Sequence, residues 1–288
     1  MSYIGNNNKY VLVKKYNEEY LKMKKPFIII LTLFSIGMLS VGYLWYTGVW
    51  QIGGVRSVVY TFGVNVKYAC IYLSDVMDSY ISGKGGVRPK GPVGIDVSYY
   101  QGKIDWAEVA KDSVKFAYLK ATEGTTIVDP SFRRNVHEAQ QAGIPIGAYH
   151  FFRMTSGARE QYNRFRSVVK RHRLDLIPML DIECRNGYSI KATQDSVAVF
   201  VQLVKRDFKV APLIYTYENF YNESCAPTYN NYHLYLAKYS FAEPKIKDGK
   251  GSYTIWQYTD RGRINGIKHN VDLCKFNSKY TVEHLRLN

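Results

Sequence analysis

From residue 93 onward, short apolar runs alternate with longer amphipathic segments. The apolar runs, each predicting a strand, are 93–98, 114–121, 144–152, 176–183, 212–217, 234–239, 253–259 and 271–276. Between the earlier runs, the segments 129–143, 158–172 and 193–207 carry apolar residues at helical spacing. This alternation predicts an α/β fold in which eight strands close into a TIM-like (β/α) barrel. The last three connections are short for helices, so we expect incomplete helices over the last strands.

The first of these helices has recognisable end signals. Asp129 is the expected N-cap, Pro130 occupies the first helical position, and Gly143 stands at the carboxyl end.

A second feature lies ahead of the barrel. Residues 27–50 form a run of 24 residues without a charged side chain, long enough to cross a hydrocarbon core of about 30 Å. Lysines precede the run, which predicts that residues 1–26 are cytoplasmic and that the chain beyond residue 50 is outside. A cleaved signal peptide has a shorter apolar region and a small-residue cleavage site, so we expect an uncleaved anchor. Residues 51–92 then form a stalk or linker before a barrel domain at 93–288.

Charge and cysteine content narrow the classes of partner. The formal net charge of +15 favours contact with an anionic polymer or a membrane surface. The basic residues are dispersed and match no nucleic-acid-binding motif, so nucleic acid is not an expected partner. The 4 cysteines lack CxxC spacing, which argues against a zinc site, although one disulfide in the barrel domain stays open. Nothing in the sequence calls for a metal or an organic cofactor, and the oligomeric state is not indicated.

Polar and aromatic residues gather where the predicted strands end, which is where barrel enzymes carry their chemistry. These residues are Asp96, Lys120, Glu123, Asp181, Glu183, Tyr215, Trp256, Gln257 and Asp272. For three of them a structural role is an open alternative, and for two of these it is that Lys120 pairs with Glu123. Trp256 could equally belong to the core.

The Asp181-Ile182-Glu183 segment is the most informative of these. Residues two apart in a strand point to the same face, so the two carboxylates should share one environment. Like charges at close range raise a carboxyl pKa, and glycosidic bond cleavage needs a general acid that is still protonated. A lone Asp-x-Glu is usually a solvated strand end. This pair instead ends the apolar run LIPML, where burial of two carboxylates costs free energy unless they have a partner or a function.

Five segments together resemble glycoside hydrolase family 25, the lysozymes also called Chalaropsis-type muramidases. They are GIDVSYYQGKIDW, FAYLKATEGTTIVDPSF, AGIPIGAYHFFR, PMLDIE and IWQYTDRGRINGI with the later VDL. The resemblance covers about residues 94–276. It implies hydrolysis of the β-1,4 bond between N-acetylmuramic acid and N-acetylglucosamine in peptidoglycan.

The resemblance also implies roles for particular residues. Glu183 matches the family's general acid, and Asp181 matches the carboxylate that orients or stabilises the substrate's 2-acetamido group. Asp96 and Asp272 match two further active-site aspartates, while Tyr149 and Trp256 match aromatics that line the groove. Retention and inversion both remain open as mechanisms. So do a non-catalytic wall-binding module and a glycosidase acting on chitin-like chains.

Overall fold

The computed structural model of the protein describes residues 90–240, 242–247 and 251–287. The predicted span at residues 27–50 and nearly all of the predicted stalk lie outside these ranges. Among the described residues, no helix combines the length and the apolar character needed to cross a membrane.

The described part of the chain contains nine strands. They are β1 Val93–Val97, β2 Val114–Glu123, β3 Ile127–Val128, β4 Ile146–Phe151, β5 Met179–Asp181, β6 Leu213–Tyr217, β7 Leu234–Ala237, β8 Ile255–Gly262 and β9 Val271–Phe276. Eight of them follow the order β1-β9-β8-β7-β6-β5-β4-β2, and β1 pairs with β2 to close the barrel. Strand β9 is antiparallel to both of its neighbours. The predicted eight-stranded barrel is therefore confirmed, and the unpredicted β3 is a short hairpin partner of β2.

Helices cover only part of the barrel. They are α1 Trp106–Lys111, α2 Phe132–Gln141, α3 Ala158–Val169 and α4 Ile190–Phe208, with short helical turns at Tyr99–Gln101, Glu218–Phe220, Tyr221–Cys225 and Val282–Leu285. In the described ranges, no helix after β6 is longer than five residues. This agrees with the prediction of incomplete helices over the last strands.

The start of α2 differs from its prediction. The N-cap is Ser131 rather than Asp129, so the predicted cap is two residues too early. The Asp129 carboxylate instead accepts hydrogen bonds from the Ser131 amide (2.8 Å), the Ser131 hydroxyl (2.5 Å) and the Tyr99 amide (2.9 Å). At the other end the prediction agrees, since Gly143 follows the helix with a φ of 75°.

Strand alternation divides the apolar residues into two cores. One core lies between the strands and the helices, and the other fills the barrel interior with residues such as Phe116, Tyr118, Met179 and Tyr235. Two glycines make room for the interior rings. A Cβ added at Gly94 would lie 2.1 Å from the Phe116 ring, and one at Gly147 would lie 2.3 Å from the Tyr118 ring. Aromatic side chains thus fill the barrel interior beneath its polar carboxyl end.

Candidate active site

A pocket of about 290 Å³ opens at the carboxyl ends of the strands. Seven of the predicted site residues line it: Asp96, Lys120, Tyr149, Asp181, Glu183, Tyr215 and Asp272. They come from six strands and the residues just after β5, so only the closed barrel brings them together.

Asp181 is the more buried carboxylate of the Asp-x-Glu pair. It ends β5 and is only 5% exposed, and it lines the same pocket as Glu183 two residues later. The pKa of Asp181 is well above its usual value because burial desolvates the carboxylate and because Glu183 and Asp96 add negative charge. Its Oδ1 atom is buried without a hydrogen-bond partner. An orphaned acceptor in a pocket is available to a ligand.

Glu183 is partly exposed at the pocket. Its pKa is also raised, by burial and by the negative charge of Asp96, while Lys120 and Arg153 hold part of that shift back. With Asp181, it forms an interacting pair that keeps a proton at pH values where exposed carboxyl groups have lost theirs.

Asp96 and Asp272 face each other across the β1–β9 pairing. The pKa of Asp272 is raised to about 9 by burial and by Asp96, so Asp272 keeps its proton at neutral pH and donates a hydrogen bond to Asp96. Burial also raises the pKa of Asp96. Hydrogen bonds from Tyr235, Asp272 and Gln257 oppose that rise.

Gln257 lies beneath the pocket rather than on its wall. It is buried, and its Nε2 donates to Asp96 Oδ2 at 3.1 Å. Its Oε1 accepts hydrogen bonds from the hydroxyls of Tyr215 (2.7 Å) and Tyr239 (3.1 Å). Tyr235 donates to the same Asp96 oxygen at 2.6 Å. Gln257 was predicted to contact substrate, but in the structure it is buried and holds Asp96 in place instead.

Glu123 joins two cations at the edge of the pocket. It accepts a hydrogen bond from Lys120 Nζ at 2.7 Å and from Arg153 Nε at 2.9 Å. Burial would raise the pKa of Glu123, but these two partners outweigh burial and lower it. Glu123 was predicted to contact substrate, but it does not line the pocket. It positions Lys120, which does. This pairing is the structural alternative that the sequence left open.

Trp256 is placed differently from its prediction. It points away from the pocket into the core between strands and helices, where it is 4% exposed and donates from Nε1 to the Lys238 carbonyl at 2.8 Å. Its neighbour Gln257 points inward, and alternation forces adjacent strand residues to opposite faces. The expectation that Trp256 lines the groove is wrong for this reason.

Exposed tyrosines at the pocket mouth were not among the predicted site residues. Tyr100 is 66% exposed, lines the pocket, and its ring lies 4.1 Å from that of Tyr99. Tyr217 and Tyr239 also line the pocket, with ring centroids 6.3 Å apart. Alternation along LYLAKY would have placed Tyr239 on the same face as Tyr235.

The described residues contain no group of three His, Cys, Asp or Glu side chains arranged to hold a metal ion. The cysteines at 184, 225 and 274 are free thiols, so they do not form the disulfide that the sequence left open between residues of the barrel. Cys70 lies outside the described ranges.

Known proteins resemble this chain in sequence and fold. The sequence profile described as Glycosyl hydrolases family 25 matches residues 95–267. Lysozyme M1 of Streptomyces globisporus is 34% identical over 67% of this chain and 70% of its own length. The uncharacterized protein YegX of Escherichia coli K12 is 37% identical over 67% of this chain and 71% of its own. A bacterial lysozyme structure from Streptomyces coelicolor has a TM-score of 0.61 and 33% identity, covering 68% of this chain and 95% of that one.

Proposed function

This chain belongs to glycosyl hydrolase family 25, and from that membership and its carboxylate pocket we propose that it cuts the glycan strands of peptidoglycan. It is a glycoside hydrolase of the lysozyme type. The proposed reaction hydrolyses the β-1,4 bond between N-acetylmuramic acid and N-acetylglucosamine. The observation that carries the proposal is that Asp181 and Glu183 line one pocket and both have raised pKa values.

We assign Glu183 as the general acid. In its protonated form it donates a proton to the glycosidic oxygen while the bond from that oxygen to the anomeric carbon breaks. Its raised pKa supports this role because the acid must still hold its proton near neutral pH.

We assign Asp181 to the substrate's 2-acetamido group or to the positive charge that develops at the anomeric carbon. The unpartnered Oδ1 atom can accept a hydrogen bond from the acetamido N–H. On the facing wall, Asp272 holds a proton at neutral pH, and burial raises the pKa of its partner Asp96. In one mechanism the acetamido oxygen displaces the leaving group and water then opens the ring so formed, and these two inversions together retain the anomeric configuration. In the other mechanism water attacks directly and inverts the configuration, so NMR of the first product distinguishes the two.

The test of the proposed function is Glu183→Gln, which keeps the size of the side chain and removes the acidic proton. We expect release of reducing ends from purified peptidoglycan to fall by about 10²–10⁴-fold, the usual contribution of a general acid, with binding to the wall retained. Glu223→Gln is the matched control, since Glu223 is exposed outside the pocket. A variant that still cuts at the wild-type rate would contradict the assignment.

Two rival functions make different predictions. A non-catalytic wall-binding module would release no reducing ends even as the wild-type protein. A glycosidase for chitin-like chains would cut chitin oligosaccharides faster than defined peptidoglycan fragments, which mass spectrometry of the products would show.

We also propose that the enzyme is anchored in a membrane through residues 27–50, with the amino terminus cytoplasmic and the barrel outside. The uncharged length of this segment and the lysines before it support the proposal. Such an anchor would confine cutting to wall that lies close to the membrane.

A further inference from the structure

A second concave surface lies on the flank of the barrel, between α2 and α3. It is an open cleft of about 780 Å³ with Arg133 from α2 and Arg164 from α3 on its walls. Arg171, just beyond α3, adds a third guanidinium group, and His172 lies next to it in the lining. Arg164 lies within α3, and Arg171 lies in the turn that follows the last helical residue, Val169.

Within the part of the chain that the structure describes, no acidic side chain forms an ion pair with the arginines that line this cleft. The one carboxylate that lines it, Asp129, is 3% exposed and already accepts hydrogen bonds from Ser131 and Tyr99. Among the described residues, Arg133 and Arg171 are exposed and enter no ion pair. By contrast, Arg166 on the neighbouring face of α3 pairs with Asp207 at 2.6 Å.

Two contacts fix parts of the cleft wall. Arg164 donates from Nε to the Thr125 carbonyl at 2.9 Å. The His172 ring meets the Phe132 ring edge-on with centroids 5.4 Å apart. Burial lowers the pKa of His172, and the positive charges of Arg133 and Arg171 lower it further.

The hairpin of β2 and β3 separates this cleft from the catalytic pocket. At the start of the hairpin, Glu123 bonds to Lys120, which lines the pocket. In its loop, Thr125 bonds to Arg164 of the cleft. After its end, Asp129 lines the cleft and also fixes Tyr99, next to the pocket residue Tyr100. A chain lying in the pocket could therefore place a side branch across the hairpin.

We propose that this arginine cleft binds the carboxylates of the peptide stems carried by the peptidoglycan strand. The proposal rests on the proposed function, because it gives that substrate a second contact outside the pocket. Guanidinium groups match carboxylates in shape and charge and bind them with two parallel hydrogen bonds. The stems branch from alternate sugars and end in carboxylates, so a bound strand presents anions beside the pocket rather than inside it.

The test compares Arg133→Glu/Arg171→Glu with Lys115→Glu/Lys279→Glu. The control pair makes the same change in charge at exposed lysines that do not line the cleft. The substrates are glycan strands that bear stems and the same strands stripped of stems by an amidase. We expect the cleft variant to lose about tenfold in kcat/KM on stem-bearing strands and to match wild type on stripped strands, a loss of the size expected for two charge-assisted contacts. Added salt should shrink the difference.

Binding is measured in parallel on Glu183→Gln versions, which do not digest the strands. Cosedimentation with stem-bearing strands should weaken in the cleft variant and stay unchanged in the control. Arg133→Gln/Arg171→Gln serves as the second variant if the glutamates disturb folding, as judged by circular dichroism. If wild-type protein cuts neither substrate, the proposed function fails, yet the binding arm still tests the cleft.

Three results would overturn the inference. One is unchanged binding and cutting of stem-bearing strands, and another is an equal loss on both substrates. The third is weaker binding to vesicles containing anionic phospholipid with an intact preference for stems, which would assign the cleft to a lipid surface.

Discussion

Asp272 places an acidic proton where the unfolded chain would hold a negative charge. Its pKa is about 9 in the folded protein against 3.8 for an ordinary aspartate, because burial and Asp96 disfavour the charged form. The folded state therefore binds more protons than the unfolded state between these values. Stability that Asp272 contributes below pH 3.8 is lost progressively as the pH rises towards 9.

Asp272→Asn should remove this dependence, since an amide can still donate to Asp96 and carries no charge. We expect the variant to match wild type in melting temperature at pH 4 and to exceed it at pH 8, with activity reduced. Melting curves at both pH values measure the effect. Asp195→Asn, at an exposed position on α4, should show no comparable gain at pH 8. A gain of equal size at pH 4 and pH 8 would contradict the assigned cause.

Lys120 sets the electrostatic environment of the acid pair. Its positive charge lowers the pKa of both Asp181 and Glu183. Lys120→Met should therefore raise the pKa of the general acid, which acts in its protonated form, and the alkaline limb of the kcat profile should move to higher pH. Rates measured across the pH range with defined fragments test this shift.

Lys120→Arg keeps the charge and serves as the matched control, so its alkaline limb should stay near that of wild type. A limb that moves to lower pH in Lys120→Met would mean that another group controls the profile.

Residue patterns in the sequence predicted the four carboxylates that line the pocket but also placed there three residues that do not line it, Glu123, Trp256 and Gln257. Asp181 and Glu183 stand two apart, so their shared face follows from strand geometry alone. Trp256 and Gln257 are adjacent, and the same rule forbids both from facing the pocket. The support of Asp96 by Tyr235 joins residues 139 positions apart, so only the closed barrel reveals it.

At the scale of elements, glycines in the strands decide what the barrel interior can hold. Gly147 on β4 lies against Tyr118 on β2, where a methyl group would be 2.3 Å from the ring. Gly147→Ala should therefore overpack the interior and lower the free energy of unfolding by about 1–3 kcal/mol, as measured by urea denaturation.

Gly91→Ala is the matched control, because its added methyl would meet nothing within 4 Å. Equal stability of Gly147→Ala and wild type would show that the Tyr118 ring moves aside without cost.

Element boundaries were predicted well where periodicity is strong and poorly where turns decide them. The strands and α2 to α4 follow from apolar spacing. The N-cap of α2 did not follow from the sequence, because the Asp129 carboxylate accepts hydrogen bonds from the Ser131 and Tyr99 amides and Ser131 is the N-cap. The two-residue β3 has no periodic signal of its own, yet its hairpin separates the catalytic pocket from the arginine cleft.

At the scale of the whole molecule, the net charge suits an enzyme that works on an anionic polymer at a surface. The net charge of +15 favours residence at anionic wall or membrane. The four carboxylates of the pocket form an acidic region within this basic protein, and burial together with their mutual negative charge raises the pKa of Asp181 and Asp272. The basic residues spread over the protein thus attract anionic surfaces, while the carboxylates of the pocket supply the acid chemistry.

The anchor proposal predicts how the full chain partitions in cells. Residues 27–50 without a charge should hold the protein in the membrane pellet after an alkaline carbonate wash. Replacing Leu39 and Ser40 with arginines places two charges near the middle of the span, at a cost of about 2.5–3.5 kcal/mol each, and should move the protein to the supernatant. The matched control replaces Gln51 and Ser57 with arginines, outside the span, and should stay in the pellet. Protease added to intact spheroplasts should digest the barrel in the wild type and spare an amino-terminal tag. Digestion of the tag with protection of the barrel would reverse the proposed orientation.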